Sequence, residues 1–205
     1  MTKTYDRAYF DKWYRSRFHR VITPAEVRRK ATLAVSVTEY VLRRTARTVL
    51  DVGCGEGAWM PHLRSLRPRI SYTGVDPSEY AVSEFGRTRN ILRGGFGGLA
   101  SLRLRGPFDL IICSDVMHYL DDAEIRSGMK EIVRLLRGIA WLEALTKEDA
   151  VTGDLEGLKL RPASWYRRTF SAAGLTPAGP WCWIPSSLAG EMAVLEFPQD
   201  AAVQR

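Results

Sequence analysis

The sequence contains few cysteines and histidines and no long apolar run. Three residues of each type occur among 205. The cysteines are widely spaced, odd in number and without a CxxC pair, which excludes a disulfide framework and argues against a zinc site, so no metal is predicted. No apolar stretch approaches the length of a membrane span. The start, MTKTYDRAYFDKWYRSR, has no apolar run behind its charges, which excludes a secretory signal and favours a cytoplasmic protein.

Positive charge is unevenly distributed along the chain. The net charge is +7, and residues 1–47 contain twelve Lys or Arg against four Asp or Glu. A basic segment of this kind can attract an anionic substrate or a nucleic acid. Basic helices are also common as solvated faces, and we favour that interpretation. Nucleic acid is therefore not the predicted partner.

A helical cap is predicted ahead of the main body of the chain. Thr23 has the side chain of an N-cap, and Pro24 suits the first turn of a helix that ends near residue 44. A shorter aromatic-rich helix is expected before it. We interpret residues 1–46 as an N-terminal helical cap that does not fold independently, placed on a core formed by residues 47–205.

Strand-like and helix-like segments alternate through that core. Five apolar or β-branched runs predict strands with helices between them: TVLDV, ISYTGVD, NILRG, FDLIICSD and GIAWLEAL. Two more strands are expected near 177–184 and 191–197, antiparallel to each other because only the short link PSSLAG joins them. Such alternation predicts parallel strands with right-handed crossovers. The expected fold is an α/β, doubly wound, Rossmann-like and mostly parallel seven-stranded sheet with helices on both faces and one antiparallel edge strand.

A glycine-rich turn follows the first predicted strand. DVGCGEG places Gly53, Gly55 and Gly57 where the strand gives way to a helix, and glycine there lets the backbone approach a ligand closely. Free N–H groups at a helix start favour a negatively charged group on that ligand. Asp76 ends the second strand, 19 residues after Gly57, and can accept both hydrogen bonds from a ribose diol. Together these features predict a nucleoside ligand with a partly anionic second part.

Two kinds of nucleoside fit this pattern. A dinucleotide fingerprint requires GxGxxG, whereas this chain has GxGxG with Ala58 at the position of the third glycine. Alanine is allowed there in some dinucleotide sites, so the glycine spacing does not separate the two. The longer pattern does: VLDVGCGEG, GVDPS and FDLIICSDVMHYL, in this order and spacing, resemble the class I S-adenosylmethionine-dependent methyltransferase family over residues 45–197. The resemblance implies S-adenosyl-L-methionine as the cofactor and S-adenosyl-L-homocysteine as its product.

The resemblance also implies roles for individual residues. Asp51 would contact the amino group of the cofactor, and Asp76 would hold its ribose hydroxyls. The family's acidic residue after the third strand is missing from LRGGFGGLASL, so Phe96 or Leu99 is expected to pack on the adenine. The other implied cofactor contacts lie on the glycine turn, directly after Asp76 and in the loop after the fourth strand: Gly53, Cys54, Gly55, Gly57, Pro77, Ser78, Ser114, Asp115 and Val116.

His118 is the predicted general base. It follows the loop that the resemblance places beside the reactive methyl group, and the ordinary pKa of histidine suits proton transfer near neutrality. Tyr119 adjoins it and is included in the predicted catalytic pair. The alternative is that His118 only caps or packs against a helix. His19 and His62 are predicted to be surface residues.

Aromatic residues are expected to line an acceptor pocket. Tyr5, Tyr9 and Trp13 are four apart and would share one face of a helix within residues 5–20. Aromatic walls suit a flat or apolar acceptor. The segment TKEDAVTGDLEGLKLRP is interpreted as a mobile lid over this pocket. The predicted lining residues are Tyr5, Tyr9, Trp13, Tyr14, Trp165 and Tyr166.

Three functions stay open at this point. The favoured one is methyl transfer to the O, N or C atom of a small-molecule acceptor, by a monomer or a homodimer. A nucleic-acid methyltransferase would use the basic N-terminal segment on phosphates, but the chain lacks both the N/D-P-P-Y/F loop and the Pro-Cys nucleophile of such enzymes. A non-catalytic cofactor-binding protein is the third.

Overall fold

The computed structural model describes residues 3–198. The strands in this range are β1 Thr48–Val52, β2 Ser71–Asp76, β3 Ile91–Arg93, β4 Phe108–Ser114, β5 Leu136–Glu143, β6 Leu175–Gly179 and β7 Cys182–Pro185. The α-helices are α1 Arg7–Phe10, α2 Pro24–Leu42, α3 Met60–Leu66, α4 Glu79–Arg89, α5 Asp122–Leu135, α6 Ala163–Ala172 and α7 Ser186–Ala189. A π-helical turn spans Asp11–Arg15, and 3₁₀ turns span Phe96–Leu102, Met117–Tyr119 and Val194–Glu196.

The strands form one sheet in the order β3-β2-β1-β4-β5-β7-β6. The first five run parallel, and β7 is antiparallel to both of its neighbours, β5 and β6. The predicted fold class is confirmed, with the reversed strand next to the sheet edge. Because strand order reverses between β1 and β4, their carboxyl ends open a crevice in which ligands of such sheets bind.

Both faces of the sheet are covered by helices. One apolar cluster joins Leu50, Val75 and Ile111 of the strands to residues of α5 and α6. The other joins Leu110, Ile112 and further strand residues to α2 and α3. Adjacent β4 residues therefore face opposite clusters, which explains why this strand is apolar on both sides.

Helix α2 begins as its sequence predicts. Thr23 and Glu26 form a capping box, and Pro24 occupies the first helical turn. Its inward stripe consists of Val27, Ala31, Ala34, Val35 and Thr38, all of them buried. This helix packs on the second cluster and thereby joins the N-terminal cap to the core.

The aromatic segment before α2 differs from the single helix expected over residues 5–20. Only the four residues of α1 are α-helical, and the π-helical turn after them widens the spacing of side chains. Tyr5 and Tyr9 stay together, with ring centroids 5.0 Å apart, whereas Trp13 turns to His19, 6.2 Å away. The predicted common face is therefore wrong for Trp13.

The C-terminal hairpin lies earlier in the chain than predicted. It pairs β6 with β7 across Pro180 and Trp181. PSSLAG contributes to α7 instead of linking two strands. The strand expected near 191–197 is wrong, because Val194–Glu196 is a 3₁₀ turn whose Leu195 is 98% exposed and has no strand beside it. Alternating apolar residues alone do not make a strand without a paired edge.

None of the helices among residues 3–198 combines the length and apolarity needed to traverse a bilayer.

Candidate functional site

The glycine turn after β1 has a backbone that side chains would obstruct. Gly53, Gly55 and Gly57 have φ values of +73°, +53° and +80°, a region that glycine adopts without strain. A Cβ on Gly53 would stand 2.3 Å from a methyl of Val116, and one on Gly55 would stand 2.9 Å from the Phe10 ring. The turn is therefore both left-handed and closely approached, as its sequence predicts.

Asp76 is joined to this turn by hydrogen bonds. Its Oδ2 accepts from Gly55 N at 2.6 Å, and its Oδ1 accepts from Ser78 N at 2.8 Å. Burial raises the pKa of Asp76, and the two backbone donors oppose that rise. Each carboxylate oxygen keeps a second lone pair, so two hydroxyl donors can still bind it. Ser78 is buried and donates to Tyr5 O, whereas Pro77 is exposed.

Asp51 lies at the bottom of the crevice with 2% of its surface exposed. Its Oδ2 accepts a hydrogen bond of 2.7 Å from the Tyr72 hydroxyl. Burial raises the pKa of Asp51 to about 7, although the tyrosine bond acts in the opposite direction. A cationic group bound beside this carboxylate would favour its ionised form.

A cleft of about 480 Å³ opens beside these residues. It runs from the glycine turn to the start of α2 and to the segment after β5. Among the residues that line it are Phe10, Tyr14, Lys30, Asp51, Gly53, Cys54, Gly55, Trp59, His62, Ser114, Asp115, Tyr119, Glu143, Thr152 and Asp154. The prediction that His62 is a surface residue is corrected, because it is half-buried in this wall and burial lowers its pKa.

His118 lies beneath the cleft and has no exposed surface. Its Nδ1 accepts from Leu145 N at 3.1 Å, which places the proton of the neutral ring on Nε2. Burial lowers the pKa of His118 to about 4, so the ring is neutral at pH 7. The predicted role as a base that touches the acceptor is therefore corrected: the side chain is enclosed, and its free lone pair is already used.

Asp115 is the group that His118 faces. His118 Nε2 lies 3.4 Å from Asp115 Oδ1 and has no hydrogen-bond partner within residues 3–198. Asp115 has φ +64°, unusual for a residue with a side chain, and 45% of its side chain is exposed. Burial, followed by the charge of Glu143, raises the pKa of Asp115. The strained backbone thus presents a carboxylate to the cleft.

A polar chain on the cleft floor was not predicted from the sequence. Glu143 ends β5, and its carboxylate accepts from Ser114 Oγ at 2.6 Å and from Lys30 Nζ at 2.5 Å. Trp141 Nε1 donates to the same group at 3.3 Å. Glu143 could have been found as the first acid after an apolar strand. Lys30 carries no comparable signal, because it is one of three consecutive basic residues.

The predicted aromatic lining is divided by the structure. Tyr14 lines the cleft, and Phe10 does so without having been predicted. Trp165 lies over the Arg161 guanidinium, 4.7 Å away, and Tyr166 packs on Phe170 in the core. Neither lines the cleft, and neither do Tyr5, Tyr9 and Trp13 of the N-terminal segment, so these five assignments are corrected. The helix that carries Trp165 and Tyr166 covers the far end of the sheet.

Two predicted cofactor contacts face the interior. Phe96 packs against Gly128 of α5, and Leu99 lies in the same apolar cluster. The expectation that Phe96 or Leu99 packs on the adenine is corrected, because both side chains are buried in the core. The Cys54 sulfur points to Gly74 behind the turn, so only its backbone can serve a ligand in the cleft.

The segment 146–162 is fastened to the loop after β4. Lys159 N donates to His118 O at 2.7 Å, and Arg161 Nη2 donates to Leu120 O at 2.6 Å. The Tyr119 hydroxyl donates to Asp154 O at 2.9 Å. The segment predicted as a lid thus forms one wall of the cleft.

No group of three or more potential metal ligands occurs among the residues that the structure describes. The donor set of the cleft instead suits an organic ligand, with two bare glycines, two buried carboxylates and a half-exposed one. These residues fit the nucleoside cofactor that the sequence implies, since carboxylates and open backbone groups are what a ribose diol and an ammonium require.

Comparison with known proteins gives a consistent result. A family model described as a methyltransferase domain matches residues 50–142. No curated protein gave a match. Among solved structures, a SAM-dependent methyltransferase from Archaeoglobus fulgidus has a TM-score of 0.64 at 15% identity, with 83% of this chain and 75% of that chain covered.

Two further structures are similar. An O-methyltransferase family protein from Burkholderia thailandensis has a TM-score of 0.51 at 20% identity and covers 81% of this chain, which spans 58% of that protein's length. The sugar N-methyltransferase KedS8 from Streptoalloteichus sp. ATCC 53650 has a TM-score of 0.53 at 22% identity, with 79% and 82% of the two chains covered. At these identities the likeness concerns the fold.

Proposed function

We propose that this protein, whose residues 50–142 match a methyltransferase domain, transfers a methyl group from S-adenosyl-L-methionine to a small-molecule acceptor. The observation that carries the proposal is the direct bond between Gly55 N and Asp76 Oδ2, 2.6 Å long. It makes the bare turn and the carboxylate one rigid unit, matched to a ligand with a ribose at one end.

The chain offers a place for each part of this cofactor. The turn at Gly53 and Gly55 would lie against its methionyl part, Asp76 would accept from the ribose diol, and Asp51 would face the amino group. When bound, the cofactor supplies an electrophilic methyl group on a positively charged sulfur. The protein's own contribution is to position the acceptor and to exclude water.

Asp115 is the best-placed proton acceptor in the cleft. Its raised pKa brings it closer to the range in which a carboxylate can take a proton at neutral pH. His118 acts through it as a positioning residue, because a neutral ring with its N–H toward Asp115 favours one orientation of the carboxylate. Tyr119 stands at the wall beside it. Burial raises the pKa of its hydroxyl, so the hydroxyl stays protonated and donates to Asp154 O.

An acceptor of small size is supported by the enclosure of the cleft. About 480 Å³ is a typical volume for a small-molecule site. Basic side chains of the N-terminal segment are engaged with acids of the cleft, since Lys30 pairs with Glu143 and Arg15 pairs with Glu56. They are therefore less available to a phosphate backbone. KedS8, a sugar N-methyltransferase by name, is similar in fold and acts on a small molecule.

Calorimetric titration with S-adenosylhomocysteine tests the proposal. Asp76→Ala should weaken binding by about 2 kcal/mol or more, roughly 30-fold, because hydroxyl donors would lose a charged partner. Glu84→Ala, on the solvent-facing side of α4, is the control and should bind like the wild type. No binding by the wild-type protein would reject the cofactor. Equal affinity of Asp76→Ala and wild type, with unchanged thermal melting, would reject the ribose position.

A further inference from the structure

The ammonium group of Lys3 occupies a cation site built from aromatic rings. Its Nζ lies 4.0 Å from the ring centroid of Tyr119, 5.4 Å from that of Tyr9 and 5.5 Å from that of Tyr5. The same nitrogen forms an ion pair with the Asp154 carboxylate and donates to Glu156 O at 3.0 Å. We call these three rings and the Asp154 carboxylate the ammonium cage.

The cage combines two kinds of attraction for a positive charge. A ring quadrupole attracts a cation placed over its face, most strongly where water is excluded. Here 14% of the Lys3 side chain and 8% of the Asp154 side chain are exposed, so screening by solvent is weak. Such a site is unusual for a lysine, whose strongly hydrated ammonium commonly stays at the surface.

The ammonium cage adjoins the cleft that holds the cofactor residues. Tyr119 and Asp154 both line that cleft, and Asp115 lies four residues before Tyr119 on the loop after β4. The charge of Lys3 acts with burial to lower the pKa of His118, and it opposes the rise in the pKa of Asp115. Through its ion pair with Asp154, the Lys3 nitrogen adjoins the part of the cleft wall that Tyr119 and Asp154 form.

Asp115 adds a reason to expect a cation at this place. Within residues 3–198, neutral His118 is the sole basic side chain within 4.0 Å of its carboxylate. If Lys3 withdrew, Asp154 would lose its ion pair, and Asp115 would have only the neutral His118 beside it. Two carboxylates with three tyrosine rings select a positively charged nitrogen over a hydroxyl of similar size.

We propose that the ammonium cage is the acceptor subsite, that the acceptor is an amine bound in its ammonium form, and that Lys3 occupies the subsite in its place. This inference rests on the proposed function and narrows it to methylation at nitrogen. The bound ammonium would give one proton to the Asp115 carboxylate. The lone pair freed on nitrogen would then attack the methyl carbon while the methyl–sulfur bond breaks, which leaves a methylated ammonium and neutral S-adenosyl-L-homocysteine. Lys3 is a built-in competitor that an incoming amine displaces. An arginine at position 3 would still compete with an amine for the cage. A methionine would replace the aliphatic part of the lysine side chain and leave the cage without a cation.

Titration with tetramethylammonium chloride, followed by shifts of tyrosine ring resonances in NMR spectra, tests the subsite. Lys3→Met should bind this probe at least about tenfold more tightly than the wild type, a difference of about 1.4 kcal/mol, and Lys3→Arg should resemble the wild type. Lys12→Met is the matched control, since Lys12 lies over the Trp13 ring at 4.4 Å and Trp13 does not line the cleft. Adding Asp154→Asn to Lys3→Met should abolish the gain.

The outcomes separate a subsite from a tether. If Lys3→Met melts like the wild type but binds the probe no better, Lys3 merely fastens the N-terminal segment and the inference is overturned. If Lys3→Met does not fold, Lys3→Gln is measured in the same way. Saturating S-adenosylhomocysteine should leave probe binding intact; competition between the two would assign the cage to the cofactor and overturn the acceptor assignment. The titration with S-adenosylhomocysteine alone tests cofactor binding, and its result does not depend on whether the cage binds an amine.

Discussion

At the scale of single residues, burial decides the chemistry of the cleft. Asp51, Asp115 and His118 are ordinary side chains whose pKa values are all shifted toward the neutral form, chiefly by loss of solvent. His118 shows the consequence most clearly. Its sequence position suggested a base, but enclosure makes it a neutral N–H donor that positions Asp115. The same residue type half-exposed in the cleft wall, as His62 is, would have fitted the predicted role better.

Asp51 gives a prediction about stability and pH. Its folded pKa of about 7 lies above the ordinary carboxyl value, so its favourable contribution is complete below the unfolded pKa near about 4 and is lost as pH rises to about 7. Relative to Asp51→Asn, the wild type should therefore lose roughly 2 to 4 kcal/mol of unfolding free energy between pH 4 and pH 7. Urea unfolding of both proteins at several pH values measures this difference.

A constant difference between wild type and Asp51→Asn over that range would show that Asp51 is ionised throughout.

At the scale of elements, turns and close approaches set the positions of the cleft residues. Phe10 at the end of α1 and Tyr14 in the π-helical turn line the cleft, whereas Trp13 of the same turn packs on His19. The 3₁₀ turn Phe96–Leu102 packs against α5 so closely that Gly128 has no room for a side chain. This contact draws Phe96 into the core, and it is why the expected adenine contact does not form.

Gly128→Ala should destabilise the protein. A Cβ at this position would stand 2.2 Å from Phe96 Cδ1 and 2.5 Å from Phe96 O, and backbone cannot yield as a flexible side chain does. We expect a loss of about 2 to 3 kcal/mol in spite of the better helix propensity of alanine. Gly98→Ala is the control, because no atom lies within 4 Å of its added Cβ. Equal melting of the two variants would contradict the contact.

At the scale of the whole molecule, the N-terminal segment and the core form one structure. The buried stripe of α2 covers strand residues such as Leu110 and Ile112, and Arg44 pairs with the buried carboxylate of Asp109. Farther back, Phe10 and Arg15 line the cleft itself. The prediction that residues 1–46 cap the core without folding alone remains to be tested, and these contacts support it.

A chain that begins at residue 47 should not unfold cooperatively. Removing α2 exposes an apolar sheet face, and each fully buried aliphatic side chain lost contributes about 1.5 to 3 kcal/mol. A chain that begins at residue 21 keeps α2 and should retain a sharp thermal transition, although it loses the ammonium cage. Calorimetry of both proteins distinguishes them. A cooperative transition for the shorter chain would show that the core folds by itself.

Local features of the sequence determined most of the architecture. The alternation of strand and helix patterns, the N-cap at Thr23, the left-handed glycine turn and Asp76 at the end of β2 were all predictable. Each depends on neighbouring residues and on backbone geometry. The prediction of a nucleoside ligand followed from the same features, because the turn and the carboxylate are held by adjacent parallel strands. The resemblance to a known family then specified the cofactor.

Only the tertiary structure decided which side chains meet in the cleft. Lys30 and Glu143 are 113 residues apart in sequence, and the ion pair of Lys3 with Asp154 joins the N-terminal segment to the segment after β5. Phe10 and Tyr14 line the cleft, whereas Trp13 between them in sequence does not. Complete burial makes His118 a neutral N–H donor instead of a base. Contacts between distant segments depend on how whole elements pack, and burial depends on every neighbour at once, so neither is written in a local pattern.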